Sequence, residues 1–226
     1  MNEDAVLARP EIGLWAVADG MGGHDAGNVA SAMVVKALSE IKKPVSLSDF
    51  VTAVEDRVQE VNQQLREYSE IMLDGGVVGS TLVCLLLYKE VGICMWTGDS
   101  RLYRYRSQEL TQLSRDHSEV AELLRAGAIT EEEAIHHPDA NVITRAVGTG
   151  DQLYIDIDVF DAQVGDVFLL CSDGLYNSMT REAITESLQL GHPEQAAAEL
   201  IDGALTNGAS DNVSVVVVRG VRQPIQ

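Results

Sequence analysis

Four aspartates in this 226-residue chain stand at the ends of strongly apolar runs. Asp19 follows "LWAVA", Asp99 follows "VGICMWTG", Asp173 follows "VFLLCS", and Asp211 comes just before "VSVVVV". If those runs are neighbouring strands, the four carboxylates gather along one rim of the sheets. Taken singly, each has a plainer reading: Asp-Gly is a common turn dipeptide, and Asp19-Gly20 and Asp173-Gly174 are both of that kind. Taken together they create a charge problem. Two carboxylates about 4 Å apart repel by roughly 4 kcal/mol at an effective dielectric near 20. A cluster of them without a lysine or arginine partner either holds protons or binds a cation. Oxygen-only ligands favour Mg²⁺ or Mn²⁺ over zinc.

The loop after Asp19, "GMGGHDAG", has four glycines in eight positions and no lysine or arginine. Such a loop suggests phosphate. It is not a P-loop, which needs G-x-x-x-x-G-K-[ST], and it lacks the G-x-G-x-x-G of a dinucleotide fold. With Asp19 and Asp25 in it, it cannot attract phosphate directly. A pair of metal ions resolves this: the glycines let a backbone carbonyl approach a metal, and the metals supply the positive charge. His136-His137 is the one adjacent histidine pair, and in a polar stretch it reads as a surface feature.

The elements that must position these groups follow from periodicity. Ala30, Met33, Val34, Ala37, Leu38 and Ile41 recur at helical spacing, as do Phe50, Val54, Val58, Val61, Leu65 and Tyr68. After residue 77 the period changes to short β-rich runs, "VGSTLVCLLLY", "EVGICMWTGD", "RLYRYR" and "ELTQLS", read as antiparallel hairpins. Residues 116–148 break that pattern with a short helix in "SEVAELLRAGA" and a capping box at Thr130 and Glu133. "LYIDIDVF" places Leu153, Ile155, Ile157 and Val159 on one face of a half-buried strand. "DVFLLCSD" and "VSVVVVR" read as central strands covered on both faces. Two helices, "REAITESLQL" and "PEQAAAELIDGAL", lie between them, the second with Pro193 at a favourable first position. The order predicts sheets with helices packed outside.

Bulk composition narrows the classes. A formal net charge of -19 argues against a nucleic-acid binder, since the sequence shows no basic patch to displace counterions. It fits both a divalent-cation site and a merely solubilising acidic surface. Cys84, Cys94 and Cys171 are an odd set without close spacing, so buried free thiols in a reducing compartment are expected. The longest apolar run, "TLVCLLLY", is far too short to span a bilayer, and "MNEDAV" lacks the basic start of a signal peptide. The expectation is a cytoplasmic protein that binds neither nucleic acid nor membrane.

Six motifs in order resemble the metal-dependent protein phosphatase (PPM) family, the type 2C serine/threonine phosphatases, in their bacterial form. They are "NED" at 2–4, "DGMGG" at 19–23, "GST" at 79–81, "GDSR" at 98–101, "SDGL" at 172–175 and "DN" at 211–212. The resemblance covers essentially the whole chain. It implies one α+β domain over 1–226, a four-layer α-β-β-α sandwich of two antiparallel sheets flanked by helices, with a helical flap insertion at about 114–149. It implies that Asp19 bridges two Mn²⁺ or Mg²⁺ ions, that the Gly20 carbonyl holds the second, and that Asp173 and Asp211 complete the first. Glu3 and Asp4 would act mainly through metal-bound waters, and Asp99 with Asp173 matches a third-metal position.

The implied reaction is hydrolysis of phosphoserine and phosphothreonine by metal-activated water in a single displacement. Asp19, Asp173 and Asp211 would act catalytically through that water, and no nucleophilic side chain is needed. Cys171 reads as a strand-core thiol. Substrates would be phosphorylated proteins, the products of a cognate Ser/Thr kinase, and the enzyme a monomer. Two departures from the family pattern stand out. A phosphate-binding arginine four residues before Glu3 would fall ahead of residue 1, so that arginine and the first strand are expected to be missing. Position 21 is Met where eukaryotic members have a histidine that protonates the leaving group; water, or His24 if its loop bends inward, would substitute. Arg101 and Arg145 read as partners for carboxylates. A non-catalytic phosphoprotein-binding module of the same fold, and a hydrolase of small phosphoesters or cyclic nucleotides, are the competing readings.

Overall fold

A computed structural model describes residues 2–23, 26–135 and 137–220. Positions 24 and 136, both histidines singled out above, lie outside the described residues. Two antiparallel sheets form the centre. The first runs β1 (Asp4–Arg9), β2 (Leu14–Gly22), β4 (Leu82–Tyr88), β5 (Val91–Thr97), β8 (Asp156–Asp161), with the short β3 (Val78–Ser80) paired to the end of β2. The second runs β10 (Val215–Arg219), β9 (Val167–Cys171), β6 (Arg101–Arg106), β7 (Glu109–Gln112).

Side-chain alternation explains why the strands are apolar throughout. On β4, Leu82, Cys84 and Leu86 pack against α1 (Ala26–Ser39) and α2 (Leu47–Met72), while Val83 and Leu85 face the second sheet. On β9, Phe168 and Leu170 meet that same inter-sheet layer. Val167, Leu169 and Cys171 pack instead against the helices α5 (Asp173–Ser178), α6 (Arg181–Gln189) and α7 (Pro193–Thr206). A strand covered on both faces has no polar alternation to keep. Each fully buried Leu or Phe contributes about 1.5–3 kcal/mol, and Leu85, Phe168 and Leu170 are wholly enclosed. The expected four-layer α-β-β-α sandwich is the observed fold. No helix of the described residues is long and apolar enough to cross a membrane.

Several expectations need correction. The face assigned to "LYIDIDVF" is buried only at its start: Leu153 is enclosed, but Ile157 is 41% and Val159 61% exposed. The outermost strand β8 runs past the helix layer, and Phe160 on the opposite face is partly buried in the inter-sheet layer, 5.6 Å from Phe168. "VSVVVVR" is an edge strand, pairing with β9 alone among the described residues. Its valines are apolar on both sides because α7 covers one face and the first sheet the other; coverage of the faces says nothing about an open edge. Two elements were not read at all: β1, paired with β2 from Asp4↔Asp19 to Arg9↔Leu14, and the six-residue α5.

Between β7 and β8 lie α3 (Glu119–Arg125) and α4 (Glu131–Ile135). The capping box is formed: Glu133 N donates to Thr130 Oγ1 at 3.3 Å and Thr130 N to Glu133 Oε2 at 2.8 Å. The returning arm is moored by buried Asn62 of α2, whose Oδ1 accepts from Gly148 N at 2.7 Å and whose Nδ2 donates to Gly150 O at 3.1 Å. Asn62→Ala strands the Gly148 N–H, at a cost of about 1–3 kcal/mol. Thermal melts should drop by roughly 2–4 °C per kcal/mol lost, and limited proteolysis should cut sooner between residues 137 and 150. Unchanged melting and cleavage would mean the mooring is inert.

Candidate metal centre

Six chain segments far apart in sequence converge at one end of the sandwich. The register Asp4↔Asp19 sets two of the acids side by side on β1 and β2. Glu3 N donates to Asn212 Oδ1 at 2.7 Å, Gly20 N donates to Glu3 O at 3.1 Å, and Ser172 Oγ donates to Asp4 Oδ2 at 2.8 Å. Ser214 N donates back to Ser172 Oγ at 3.0 Å, so the segments carrying Asp173 and Asp211 are stitched together. Asp19 is held by Thr81, whose Oγ1 accepts from Asp19 N at 3.0 Å and whose N donates to Asp19 O at 2.8 Å. Thr81 Oγ1 also meets Ser100 Oγ at 2.7 Å, which links Asp19 to the turn carrying Asp99.

Glycine is required where these segments touch. A methyl group on Gly20 would stand 2.0 Å from Gly27 O and 2.6 Å from Glu3 O. One on Gly174 would stand 2.1 Å from Asn212 O. The glycines of the Asp19 loop therefore serve first to let β2, α1 and the N-terminal segment pack backbone to backbone.

The electrostatics are those of anions crowded away from water. Burial, then the charges of Asp4, Asp173, Asp99 and Asp211, push the Asp19 carboxyl up to about 9. Burial and the neighbouring Asp173 raise Asp99 to about 7, and burial, Asp211 and Asp4 raise Asp173 to about 6. Burial also raises Asp4, against hydrogen bonds from Ser172, Ser214 and Asp19 that oppose the shift. Burial and crowding thus make each of these carboxyls harder to ionise than a free one. Among the described residues no group of three His, Cys, Asp or Glu side chains is arranged so as to hold a metal ion; what the crowded acids present is negative charge without a basic partner. Two buried oxygens, Asp4 Oδ1 and Asp173 Oδ1, have no hydrogen-bond partner at all. Unpaired carboxylate oxygens in a site with unmet negative charge fit a hard divalent cation.

The expected residues thus come together with one difference of detail. Asp4, Asp19, Asp99, Asp173 and Asp211 act on one another, whereas Glu3 joins through its backbone and lays its carboxylate against Gly27 of α1. Arg101 pairs with Asp116 and Arg145 with Asp156, as partners for carboxylates should. The three cysteines are free and buried, and burial drives the Cys171 thiol to about 12. The sequence reading assigned no role to Thr81, Ser100, Ser172, Ser214 or Asn212. Their signal was small polar residues interrupting apolar runs beside the acids.

Comparison with known proteins identifies this architecture. The family model described as protein phosphatase 2C matches residues 1–204. The serine/threonine phosphatase stp of Listeria monocytogenes is 38% identical over 207 residues, 89% of this chain and 82% of that protein. The serine/threonine protein phosphatase PstP of Mycobacterium tuberculosis is 39% identical over 216 residues, 96% of this chain but 41% of that longer protein. Among solved structures, PppA, described as a key regulatory component of T6SS in Pseudomonas aeruginosa, superposes with a TM-score of 0.90 at 43% identity, covering 97% of this chain and 91% of that one. The catalytic domain of PstP in complex with 2 manganese ions superposes with a TM-score of 0.89 at 37% identity, covering 98% and 93%. The chain belongs to the protein phosphatase 2C family, the metal-dependent (PPM) serine/threonine phosphatases of bacterial type.

Proposed function

We propose that the chain, as one domain over 1–226 with its flap at about 114–149, hydrolyses phosphoserine and phosphothreonine in proteins by direct attack of water in one displacement. Asp19, the Gly20 carbonyl, Asp173 and Asp211 would hold two Mn²⁺ or Mg²⁺ ions, with Glu3 and Asp4 supporting them and Asp99 with Asp173 offering a third position. Bound there, the ions would lower the pKa of water toward neutrality and neutralise phosphoryl oxygens. The observation that carries this is the convergence of the acids: Asp4 faces Asp19 across β1 and β2, Asp4 Oδ1 and Asp173 Oδ1 are buried without a hydrogen-bond partner, and burial with the charges of Asp4, Asp173, Asp99 and Asp211 raises Asp19.

The chain's own residues supply position. Asp19 would act as the ionised carboxylate, and Thr81 holds its backbone at both N–H and carbonyl. Ser172 and Ser214 keep the Asp4 and Asp173 segments in register. A thiol mechanism has no support, because Cys171 points into the helix-side core. The buried free thiols suit a reducing, cytoplasmic compartment; the enzyme would act as a monomer, and its substrates would be phosphoproteins made by a cognate Ser/Thr kinase.

The test is phosphate release from a phosphothreonine peptide with Mn²⁺, with chelator, and with Asp211→Asn. Turnover that needs Mn²⁺ and falls in the variant is expected. Turnover indifferent to chelator, or directed at nucleotides instead of the peptide, would overturn the reading.

A further inference from the structure

We propose that His117, at the root of the flap, is a positioning residue for the Asp99 carboxylate, and that through it the flap's conformation is coupled to cation binding at Asp99. The proposal rests on reading Asp99 with Asp173 as cation ligands. The Asp99 turn joins β5 to β6, and only one of its sides is held by the sheets. There Gly98, at φ +105°, lies against Thr81, where a methyl group would stand 2.6 Å from Thr81 Cβ. The other side is held by the flap. His117 N donates to Gly98 O at 2.9 Å, and Gly98 N donates to His117 Nδ1 at 3.2 Å.

Because Nδ1 accepts, the ring proton sits on Nε2, which is buried without a hydrogen-bond partner and has Asp156 Oδ2 at 3.3 Å as its facing carboxylate. The ring stacks on Trp96, centroids 6.0 Å apart and planes 18° apart. Imidazole thus supplies an acceptor for Gly98 N at one end on a flat, buried body. The neighbouring Asp116 takes Arg101 in a bidentate pair at 2.6–3.1 Å. Arg101 in turn covers the Tyr176 ring at 3.4 Å, and Tyr176 OH donates to Asp99 O at 3.1 Å. Two adjacent flap residues therefore grip the turn before and after Asp99.

Both arms of the flap meet at this point. Thr144 N donates to His117 O at 2.7 Å, Glu119 N donates to Val142 O at 2.9 Å, and Ser118 bridges Ile143. Arg145 reaches Asp156, the same carboxylate that faces His117. A displacement of the returning arm is transmitted to Gly98 through one histidine. Coupling of this kind is reciprocal: a cation at Asp99 stiffens the flap, and a flap held by substrate changes cation affinity by the same factor.

Calorimetric Mn²⁺ titration of the whole chain tests this with wild type, Asp99→Asn, His117→Ala, His117→Asn and the double variant of Asp99→Asn with His117→Ala. Asp99→Asn should remove the weakest Mn²⁺ site. His117→Ala should weaken that same site by about 10- to 100-fold, as loss of an orienting partner does, and leave the tighter sites unchanged. It should add nothing in the Asp99→Asn background. His117→Asn, whose amide oxygen can accept from Gly98 N, should recover most of the affinity. Mn²⁺ should slow amide exchange over residues 118–135 in wild type and not in Asp99→Asn.

An isotherm unchanged by His117→Ala, additive losses in the double variant, or parallel weakening of every site overturns the proposal, as does a wild-type isotherm that Asp99→Asn leaves intact. Should His117→Ala fail to fold, His117→Gln carries the same comparison: its longer amide reaches toward Asp156 and leaves Gly98 unpaired. Absence of Mn²⁺-dependent phosphopeptide turnover with this binding pattern preserved would count against the proposed function alone.

Discussion

Asp19→Asn is expected to reduce Mn²⁺-dependent turnover by at least about 10²–10³-fold while making the metal-free protein more stable at pH 8. The loss has the size seen when one preorganised electrostatic group is removed from a site, and here that group is proposed to bridge both ions. An amide presents one neutral oxygen where the carboxylate presents two charged ones. The gain follows from the ground state. Asp19 is half-buried among Asp4, Asp173, Asp99 and Asp211, and burial and every one of those charges oppose its ionisation. Asparagine fills the same space without charge. A gain of even 1 kcal/mol raises the melting temperature by about 2–4 °C in a chain of this length. Turnover within tenfold of wild type would remove Asp19 from the reaction, and a lower metal-free melting temperature would refute the account of its charge.

The second large effect is a pH-dependent response to metal. A carboxylic acid whose folded pKa lies above its unfolded value of about 3.8 binds protons more tightly when folded. The stability it contributes is complete below that unfolded value and is lost as pH rises through the folded one. With Asp173 at about 6, Asp99 at about 7 and Asp19 at about 9, the chelated protein should lose stability across roughly pH 4 to 9. Divalent ions reverse the sign, since ligands must shed protons to bind and metal affinity therefore rises with pH. At 100 times the dissociation constant a ligand adds about 2.7 kcal/mol, or about 5–10 °C here. The Mn²⁺-induced rise in melting temperature should be larger at pH 8.5 than at pH 5.5, and in Asp19→Asn that pH dependence should flatten. Equal increments at both pH values would show that the acids are ionised without metal.

Much of this was legible one segment at a time. The helical periods of Ala30–Ile41 and Phe50–Tyr68 appear as α1, which stops at Ser39 short of Ile41, and α2, and the Thr130/Glu133 capping box is made by neighbours three residues apart. The helix α5 was invisible because six residues containing Gly174 have little intrinsic tendency to coil; the close approach of Asn212 shapes them. β1 escaped notice because "DAVLAR" is short and half-exposed, and its pairing with β2 is what makes it a strand. Ile157 and Val159 show the opposite error, a clean alternation on a strand that outruns the helices meant to cover it.

The sequence alone determined the chemistry: oxygen donors at the ends of apolar runs, no basic counter-charge in the loop beside them, and glycines where backbones must meet. Charge and periodicity are properties of residues and near neighbours, so they survive without a fold. Tertiary structure decided which acids crowd together, which hydroxyls hold them, and that His117 holds Gly98 in the turn before Asp99. Those are contacts between residues up to 209 positions apart, as from Glu3 to Asn212. They exist only once two sheets have packed and water has been driven from between them.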